Sequence, residues 1–337
     1  MKAVGYRQSL PISEALSLID VELPDPCLAD RDLLVQVKAV SVNPVDTKVR
    51  LSHAPAAGDT KVLGWDASGI VLQTGPEATL FKAGDEVWYA GSIARPGTNS
   101  ELHLVDERIV GRKPTSLGHA QAAAMPLTAI TAWELLFERL SVAPGKQHRD
   151  DSLLIIGAAG GVGSILTQLA RRLTGLTVIG TASRPETAEW VRSLGAHHVI
   201  DHSKPLSQGL RKTGFPTVTH VASLTQTDKH YVEIVDVLSP QGKLGLIDDP
   251  DLIDIGLLKR KSLSLHWELM FTRSLFKTPD MIAQHRLLSE MADLIDAGVI
   301  RTTFGEHFGN ITAENLKRAH ARIESGTARG KIVLEGF

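Results

Sequence analysis

The feature that most constrains the fold is a glycine-rich segment between an apolar run and an amphipathic stretch. The apolar run LLII at 153–156 is typical of a buried strand, and GAAGGVG follows at 157–163. After the glycines, Ile165, Leu166 and Leu169 share one face of a predicted helix. A glycine turn between a strand and a helix is the setting of a dinucleotide-binding βαβ unit. The alternative is a tight turn that only joins the two elements.

The same alternation continues to the end of a long central segment, residues 151–267. Apolar strand-like runs alternate with amphipathic stretches, which indicates βαβ units around a parallel sheet. The predicted strands after the first are TVIGT, HHVID, THVAS, KLGLI and SLSLHW. The sequence therefore predicts an α/β fold with a Rossmann doubly wound parallel sheet.

The glycine turn also predicts where a cofactor binds. Small residues let the backbone approach a pyrophosphate, whose charge is met by amides at the helix N-terminus. Alanine replaces the first glycine of the usual G-x-G-x-x-G motif, but the flanking pattern supports the assignment. The predicted cofactor-binding residues of the turn are Gly160, Gly161, Val162 and Gly163.

The end of the second predicted strand indicates which dinucleotide is preferred. About twenty residues after the glycines, an NAD site usually has Asp or Glu to bind the ribose hydroxyls. This chain has Ser183 and Arg184 there, a hydroxyl and a guanidinium suited to a 2′-phosphate, so NADPH is favoured. Arg184 could instead be a solvated surface charge, and Glu186 could turn back towards the ribose.

The first 120 or so residues have a different character. Short strands divided by glycine and proline are predicted at 32–40, 69–73, 86–90 and 100–105. From residue 117 an alanine- and leucine-rich stretch with helical spacing follows, and SVAPGK ends it. A domain boundary is therefore expected near this stretch.

Charge and cysteine content limit the partners. The 38 acidic and 36 basic residues give a net charge of −2, so neither nucleic acid nor an anionic membrane is expected as partner. A small-molecule substrate is expected instead. Cys27 is the only cysteine, which excludes an internal disulfide and multi-cysteine zinc cages. The N-terminal segment has no secretory-signal pattern and no run approaches about 20 apolar residues, so a cytoplasmic protein is expected.

Several motifs in order carry a family resemblance over essentially the whole chain. They are SVNPVDTKVR, LGWDASGIV, GDEVW, AAAMPLTAITAWELL and AAGGVGSILTQLARRL. With them the chain resembles medium-chain dehydrogenases/reductases, most closely the quinone oxidoreductase and enone reductase branch. The resemblance implies a GroES-like β-rich catalytic domain from residues 1–127 and 268–337, a Rossmann domain at 128–267, an active site in the cleft, and a homodimer.

Zinc alcohol dehydrogenases of this superfamily have a cysteine where this chain has Asn43. They also have Gly-His-Glu where this chain has Gly64, Trp65 and Asp66. An amide and an indole do not replace the thiolate and imidazole of a zinc site. No metal is therefore expected. Without a Lewis acid, quinones, enones and enals, which accept hydride readily, become the expected substrates.

The resemblance implies roles for individual residues. Asn43, Asp46 and Lys48 match a motif that lines the cleft near the nicotinamide in enone reductases, and are the predicted catalytic residues. Lys48 could hold the nicotinamide ribose or the substrate oxygen, and Asn43 could donate its amide. The alternative is a plain helix start at Pro44, with Asp46 and Arg50 as a helical ion pair and Lys48 solvated.

Three further residues complete the predicted site. Thr128 lies where relatives contact the cofactor, and Trp65 and Trp267 are candidates for the substrate pocket. Each tryptophan could instead belong to packed core or to a subunit interface. Two other functions stay open: a zinc-type alcohol dehydrogenase, and a non-catalytic NADPH-binding structural or interaction protein.

Overall fold

The computed structural model describes residues 1–146 and 151–337, which form two compact units. The first unit is Met1–Ile130 together with Phe271–Phe337, and the second is Thr131–Met270. The sequence-based bounds, 128 and 267, lie a few residues before these divisions. Each unit is described separately below.

The first unit is built mainly of antiparallel strands in two sheets. The smaller sheet has the order β2-β1-β4, with β1 at Lys2–Tyr6, β2 at Ile19–Glu22 and β4 at Lys61–Val62. The strands of the larger sheet are β3 (Asp32–Val42), β5 (Ala67–Thr74), β6 (Glu86–Tyr89), β7 (Leu102–Asp106), β8 (Val110–Arg112), β15 (Phe304–His307) and β16 (Lys331–Glu335). Their order is β15-β16-β3-β5-β6-β8, and β7 also pairs with β3. This is the predicted β-rich part of the chain.

The pairing of β16 with β3 joins the two sequence segments of the first unit. The two strands are antiparallel, with Ile332 opposite Val42. Lys331, the first residue of β16, therefore lies beside the end of β3, where the chain turns into the first helix.

The helices that belong wholly to the first unit are α1 (Pro44–Ser52), α2 (His119–Ala123), α8 (Thr272–Phe276), α9 (Ala283–Asp296) and α10 (Ala313–Glu324). A short 3₁₀ helix covers Glu107–Ile109, and α3 (Pro126–Trp133) contains the division between the units. Within residues 1–146 and 151–337, no helix has both the length and the apolar character that a membrane span needs.

The second unit contains one parallel sheet of six strands. They are β9 (Ser152–Ile156), β10 (Thr177–Thr181), β11 (His198–Ile200), β12 (Val218–Ser223), β13 (Leu238–Leu246) and β14 (Ser264–Trp267). The order is β11-β10-β9-β12-β13-β14, and every pair is parallel. This is the 3-2-1-4-5-6 order of a doubly wound Rossmann sheet. The predicted α/β fold class is confirmed.

The crossover helices of this sheet are α4 (Gly161–Leu173), α5 (Pro185–Ser193), α6 (Leu206–Thr213) and α7 (Thr227–Val237). A π-helix covers Glu134–Arg139 and a 3₁₀ helix covers Ile255–Lys261.

The core of the second unit follows from the strand register. Leu154 of β9 lies between Ile179 of β10 and Val221 of β12, and Val221 faces Leu244 of β13. All four side chains are buried. Burying each side chain contributes about 1.5–3 kcal/mol, so this row holds the sheet that carries the glycine turn.

The alanine- and leucine-rich stretch from residue 117 differs from its prediction. The helical spacing suggests one region, but the chain forms α2, α3 and the π-helix in succession. Pro126 lacks an N–H group, so it ends the first helical segment and begins α3. In the π-helix the Leu140 N–H donates to the Leu135 carbonyl at 2.9 Å, five residues back.

Candidate functional site

The glycine turn leaves β9 at Gly157, which has a φ of +82°. Its N–H donates to the Thr181 hydroxyl at the end of β10, at 3.1 Å. Its carbonyl accepts from the Gly160 N–H, also at 3.1 Å. These bonds fix the turn against the neighbouring strand and present the N-terminus of α4.

Gly163 and Gly160 of this turn are glycines for different physical reasons. A Cβ at Gly163 would lie 2.4 Å from the Gly157 carbonyl oxygen, so a side chain there would push α4 away from β9. At Gly160 the nearest atom to a Cβ would be 3.4 Å away, and the backbone is half-exposed. Gly161 and Val162 are also half-exposed, and the first N–H groups of a helix have no acceptor within it. This cradle fits a dinucleotide pyrophosphate.

The predicted 2′-phosphate residues follow the end of β10. Ser183 is exposed, and Arg184 immediately precedes α5. The Arg184 Nε lies 3.2 Å from a carboxylate oxygen of Glu186. A carboxylate therefore accompanies the guanidinium that would bind the phosphate, which is the complication that the sequence suggests.

His202 was not among the predicted residues, yet the structure places it beside the same strand end. Its Nδ1 hydrogen-bonds the Thr181 hydroxyl at 3.1 Å, the hydroxyl that holds Gly157. Burial, and then the neighbouring His230, lower the pKa of His202. Its position follows from the parallel pairing of β10 with β11, which brings residues after both strands to one edge.

The three predicted catalytic residues occupy the start of α1, and they divide into buried and exposed. Asn43 and Asp46 are buried, and a carboxylate oxygen of Asp46 accepts the Asn43 backbone N–H at 2.7 Å. This bond closes the first turn of the helix. Lys48, the third predicted catalytic residue, lies two residues after Asp46 and is exposed.

The surroundings of Asp46 favour its neutral form. Burial raises the pKa of Asp46 to about 7, against the lowering effects of the Asn43 N–H and of Lys331. The sequence suggests, as an alternative, an ion pair between Asp46 and Arg50. In the structure Arg50 instead pairs with Glu324. Asp46 is therefore a buried cap of α1.

Asp66 joins the start of α1 to two other parts of the first unit. One of its oxygens accepts from Ser41 at 2.8 Å, the Asn43 amide at 2.9 Å and Lys331 at 3.0 Å. The other accepts the Leu127 backbone N–H in the first turn of α3, at 2.8 Å. The side chains of Ser41, Asn43, Asp66 and Lys331 are buried. Lys331 was not foreseen from the sequence.

The remaining predicted residues lie in contrasting surroundings. Thr128 is buried in the first turn of α3, and its hydroxyl donates to the Met125 carbonyl at 3.0 Å. Trp65 is 1% exposed, donates to the Ser92 carbonyl and packs edge-on against Phe271 at 6.1 Å. Trp267, at the end of β14, is 50% exposed.

A doubly wound sheet with a glycine turn is the fold of a dinucleotide-binding oxidoreductase domain, and here it is carried in one chain with a β-rich unit. Two family descriptions match the sequence: an alcohol dehydrogenase GroES-like domain at residues 29–129, and a zinc-binding dehydrogenase at residues 194–334. A zinc-type alcohol dehydrogenase-like protein of Staphylococcus aureus is 38% identical over 99% of both chains.

Solved structures give the same relationship. A protein from Rhizobium etli CFN 42, named after the zinc-dependent alcohol dehydrogenases, is 60% identical, with a TM-score of 0.96 over 100% of this chain and 98% of its own. The Escherichia coli quinone oxidoreductase complexed with NADPH is 26% identical, with a TM-score of 0.83 over 99% and 100%. The chain belongs to the medium-chain dehydrogenase/reductase superfamily, in its quinone oxidoreductase-like branch. It is an oxidoreductase that uses a nicotinamide cofactor.

The zinc in these family names does not fit the residues present. The resemblance aligns Asn43 and Trp65 with the thiolate and imidazole ligands of the zinc alcohol dehydrogenases, and neither side chain is such a ligand. In the structure, the Lys331 ammonium donates to the side-chain oxygens of Asn43 and Asp66. Over residues 1–146 and 151–337, no group of three His, Cys, Asp or Glu side chains could hold a metal ion. A cationic ammonium within bonding distance of the same oxygens opposes a second cation.

Proposed function

We propose that this chain is an NADPH-dependent oxidoreductase that transfers hydride to a quinone or an α,β-unsaturated carbonyl without a metal ion. The observation that carries the proposal is the Asn43–Asp66–Lys331 cluster, in which a lysine ammonium binds the side-chain oxygens that a metal ion would need as ligands. A saturated aldehyde needs a Lewis acid or a strong proton donor before it accepts hydride. Conjugated acceptors are activated already.

The cofactor preference rests on the ends of β9 and β10. The N-terminus of α4 offers amides to the pyrophosphate, and Ser183 and Arg184 offer a hydroxyl and a guanidinium to a 2′-phosphate. We assign the phosphate contact to Arg184 despite its Glu186 neighbour, because the pair is partly exposed and its attraction is screened by water. The NADPH complex of the E. coli quinone oxidoreductase supports this choice.

Bound NADPH would supply a hydride for the β-carbon of an enone, and negative charge would then develop on the carbonyl oxygen of the substrate. The exposed Lys48 is the predicted catalytic residue suited to meeting that negative charge. Water then gives a proton to the α-carbon. Asn43 and Asp46, being buried, hold the first turn of α1 and so fix the position of Lys48.

The experiment is NADPH oxidation by chelator-treated protein, with a para-quinone, a simple enone and a saturated aldehyde as separate acceptors. Turnover of the quinone or the enone that survives chelation and prefers NADPH to NADH is the expected result. Lys48→Ala should lower kcat/KM by about tenfold to a hundredfold, since it removes one charge-stabilising group. Lys82→Ala, at another exposed lysine of the first unit, is the matched control.

Two results would overturn the proposal. Aldehyde reduction that disappears on chelation would reveal a zinc-type alcohol dehydrogenase. NADPH binding without turnover of any acceptor would favour a non-catalytic binding protein.

A further inference from the structure

Lys331 is a buried cation whose hydrogen-bonding capacity is fully used. Its ammonium donates to the Val42 carbonyl at 3.2 Å, to the Asn43 side-chain oxygen, and to Asp66 at 3.0 Å. A lysine ammonium has three N–H donors, so each has an acceptor. The side chain is 3% exposed, which excludes a role as a solvated surface charge.

Asp66, the carboxylate that pairs with Lys331, also binds a second helix, α3. Asp66 accepts the Leu127 N–H with one oxygen while the other is held by Lys331, Asn43 and Ser41. The Leu127 N–H lies in the first turn of α3, where a negative charge is favourable. One ion pair therefore connects the residue before α1 with the first turn of α3.

We propose that Lys331 is a positioning residue that aligns Lys48 on α1 and Thr128 on α3 for the reaction. Lys331 acts on α1 directly through Asn43, and on α3 through Asp66. This inference rests on the proposed function, which gives Lys48 its role, and on the predicted contact of Thr128 with the cofactor. A displacement of about 1 Å at reacting groups can cost about a hundredfold in rate.

The energetics of buried ion pairs favour positioning over simple stabilisation. Desolvation of two charges offsets much of their attraction, so apolar replacements of such pairs are often neutral or stabilising. An apolar replacement does not reproduce the directional hydrogen bonds of Asp66. Four donors from three segments of the chain converge on its carboxylate.

The test uses a neutral pair of similar shape. Lys331→Met alone leaves a buried unpaired carboxylate and should lower Tm strongly. The double variant Lys331→Met/Asp66→Asn removes both charges and should recover most of the Tm. We expect its kcat to stay at least about tenfold below wild type, with the amides of α1 and the first turn of α3 exchanging hydrogen faster. Lys331→Arg, which keeps the charge, should retain more kcat than the double variant.

Lys113→Met is the matched control. Lys113 is also a buried lysine of the first unit, 3.2 Å from a Glu86 carboxylate, and its other acceptors are the Pro114 and Leu117 carbonyls. It should lower Tm while leaving kcat and exchange in α1 unchanged. Wild-type kcat and exchange in the double variant, or an equal loss of kcat in Lys113→Met, would overturn the proposal.

Two further measurements keep the test decisive. If the double variant does not fold, Ser41→Ala removes one hydrogen bond to Asp66 without leaving a charge unpaired. It should then speed exchange of the Leu127 amide, and unchanged exchange would overturn the proposal. If wild-type protein turns over no acceptor, the proposed function fails by itself, and the exchange measurement still decides whether Lys331 fixes both helices.

Discussion

At the scale of single residues, we expect cofactor preference to depend on Arg184 and on the Glu186 carboxylate that contacts it. Arg184→Ala should raise KM for NADPH by about tenfold and leave KM for NADH nearly unchanged, because a charge-assisted bond to phosphate is worth about 1.5–3 kcal/mol. Glu186→Gln should lower KM for NADPH about twofold to fivefold, since it removes a carboxylate that repels the phosphate. Steady-state kinetics with both cofactors provide the measurement.

Glu189→Gln, an exposed carboxylate on the same helix, should change neither KM. An equal loss of kcat/KM with NADPH and NADH in Arg184→Ala would show that Arg184 does not bind the 2′-phosphate.

The sequence predicts the structure well where that structure depends on the local backbone. The glycine turn is legible because Gly163 and its neighbours are needed within one strand–turn–helix unit. Lys331 and His202 were missed because their partners are distant in sequence, Asp66 for the first and Thr181 for the second. No local pattern distinguishes a lysine at the start of a strand that will meet a buried carboxylate from one that will be solvated.

At the scale of secondary-structure elements, α1 depends on a cap that is costly at neutral pH. Burial raises the pKa of Asp46 to about 7, so the folded protein holds a proton that the unfolded chain loses above its usual value of 3.8. The stabilising effect of this proton is complete below about pH 4 and is lost as pH rises to about 7. Asp46→Asn keeps an oxygen for the Asn43 N–H and carries no titrating group. The free energy of unfolding of this variant should therefore rise relative to wild type as pH increases from 4 to 7, by on the order of 2–4 kcal/mol, and its Tm should rise with it.

Thermal unfolding at several pH values measures this effect, and Asp296 offers a control of opposite sign. Burial alone would raise the pKa of Asp296, but hydrogen bonds from Ser116 and Thr115 hold it below its usual range. Asp296→Asn should lose Tm at pH 7 and recover relative to wild type as pH falls. A Tm difference for Asp46→Asn that is independent of pH would show that Asp46 is ionised in the folded protein.

The elements predicted correctly are those with a strong hydrophobic pattern. All six strands of the parallel sheet have counterparts in the sequence pattern, because buried strands are nearly continuous apolar runs. The strands β1 and β2 were missed, since β2 alternates only between half-buried and exposed residues. The π-helix was missed for a different reason: its i+5 bonding leaves no distinct spacing in so short a segment.

At the scale of the whole molecule, the sheet order leaves β14 as an edge strand of the six-stranded sheet. An edge strand presents unpaired N–H and C=O groups, and here Trp267 and Leu269 are 50% and 52% exposed. Exposed apolar residues beside an open edge favour pairing with a second copy. We therefore expect a homodimer through β14, with Trp267 at the interface and not in a substrate pocket.

Trp267→Asp tests this assignment because the two roles predict different results. If Trp267 lies in the interface, light scattering should give the Trp267→Asp variant the mass of a monomer. The reason is that burying an unpaired carboxylate in an apolar contact costs several kcal/mol. Val232→Asp places the same charge at another exposed apolar residue of the second unit and should leave the mass unchanged. If Trp267→Asp kept the dimer and instead raised KM for the acceptor alone, the tryptophan would belong to the substrate pocket, as its position in the sequence first suggested.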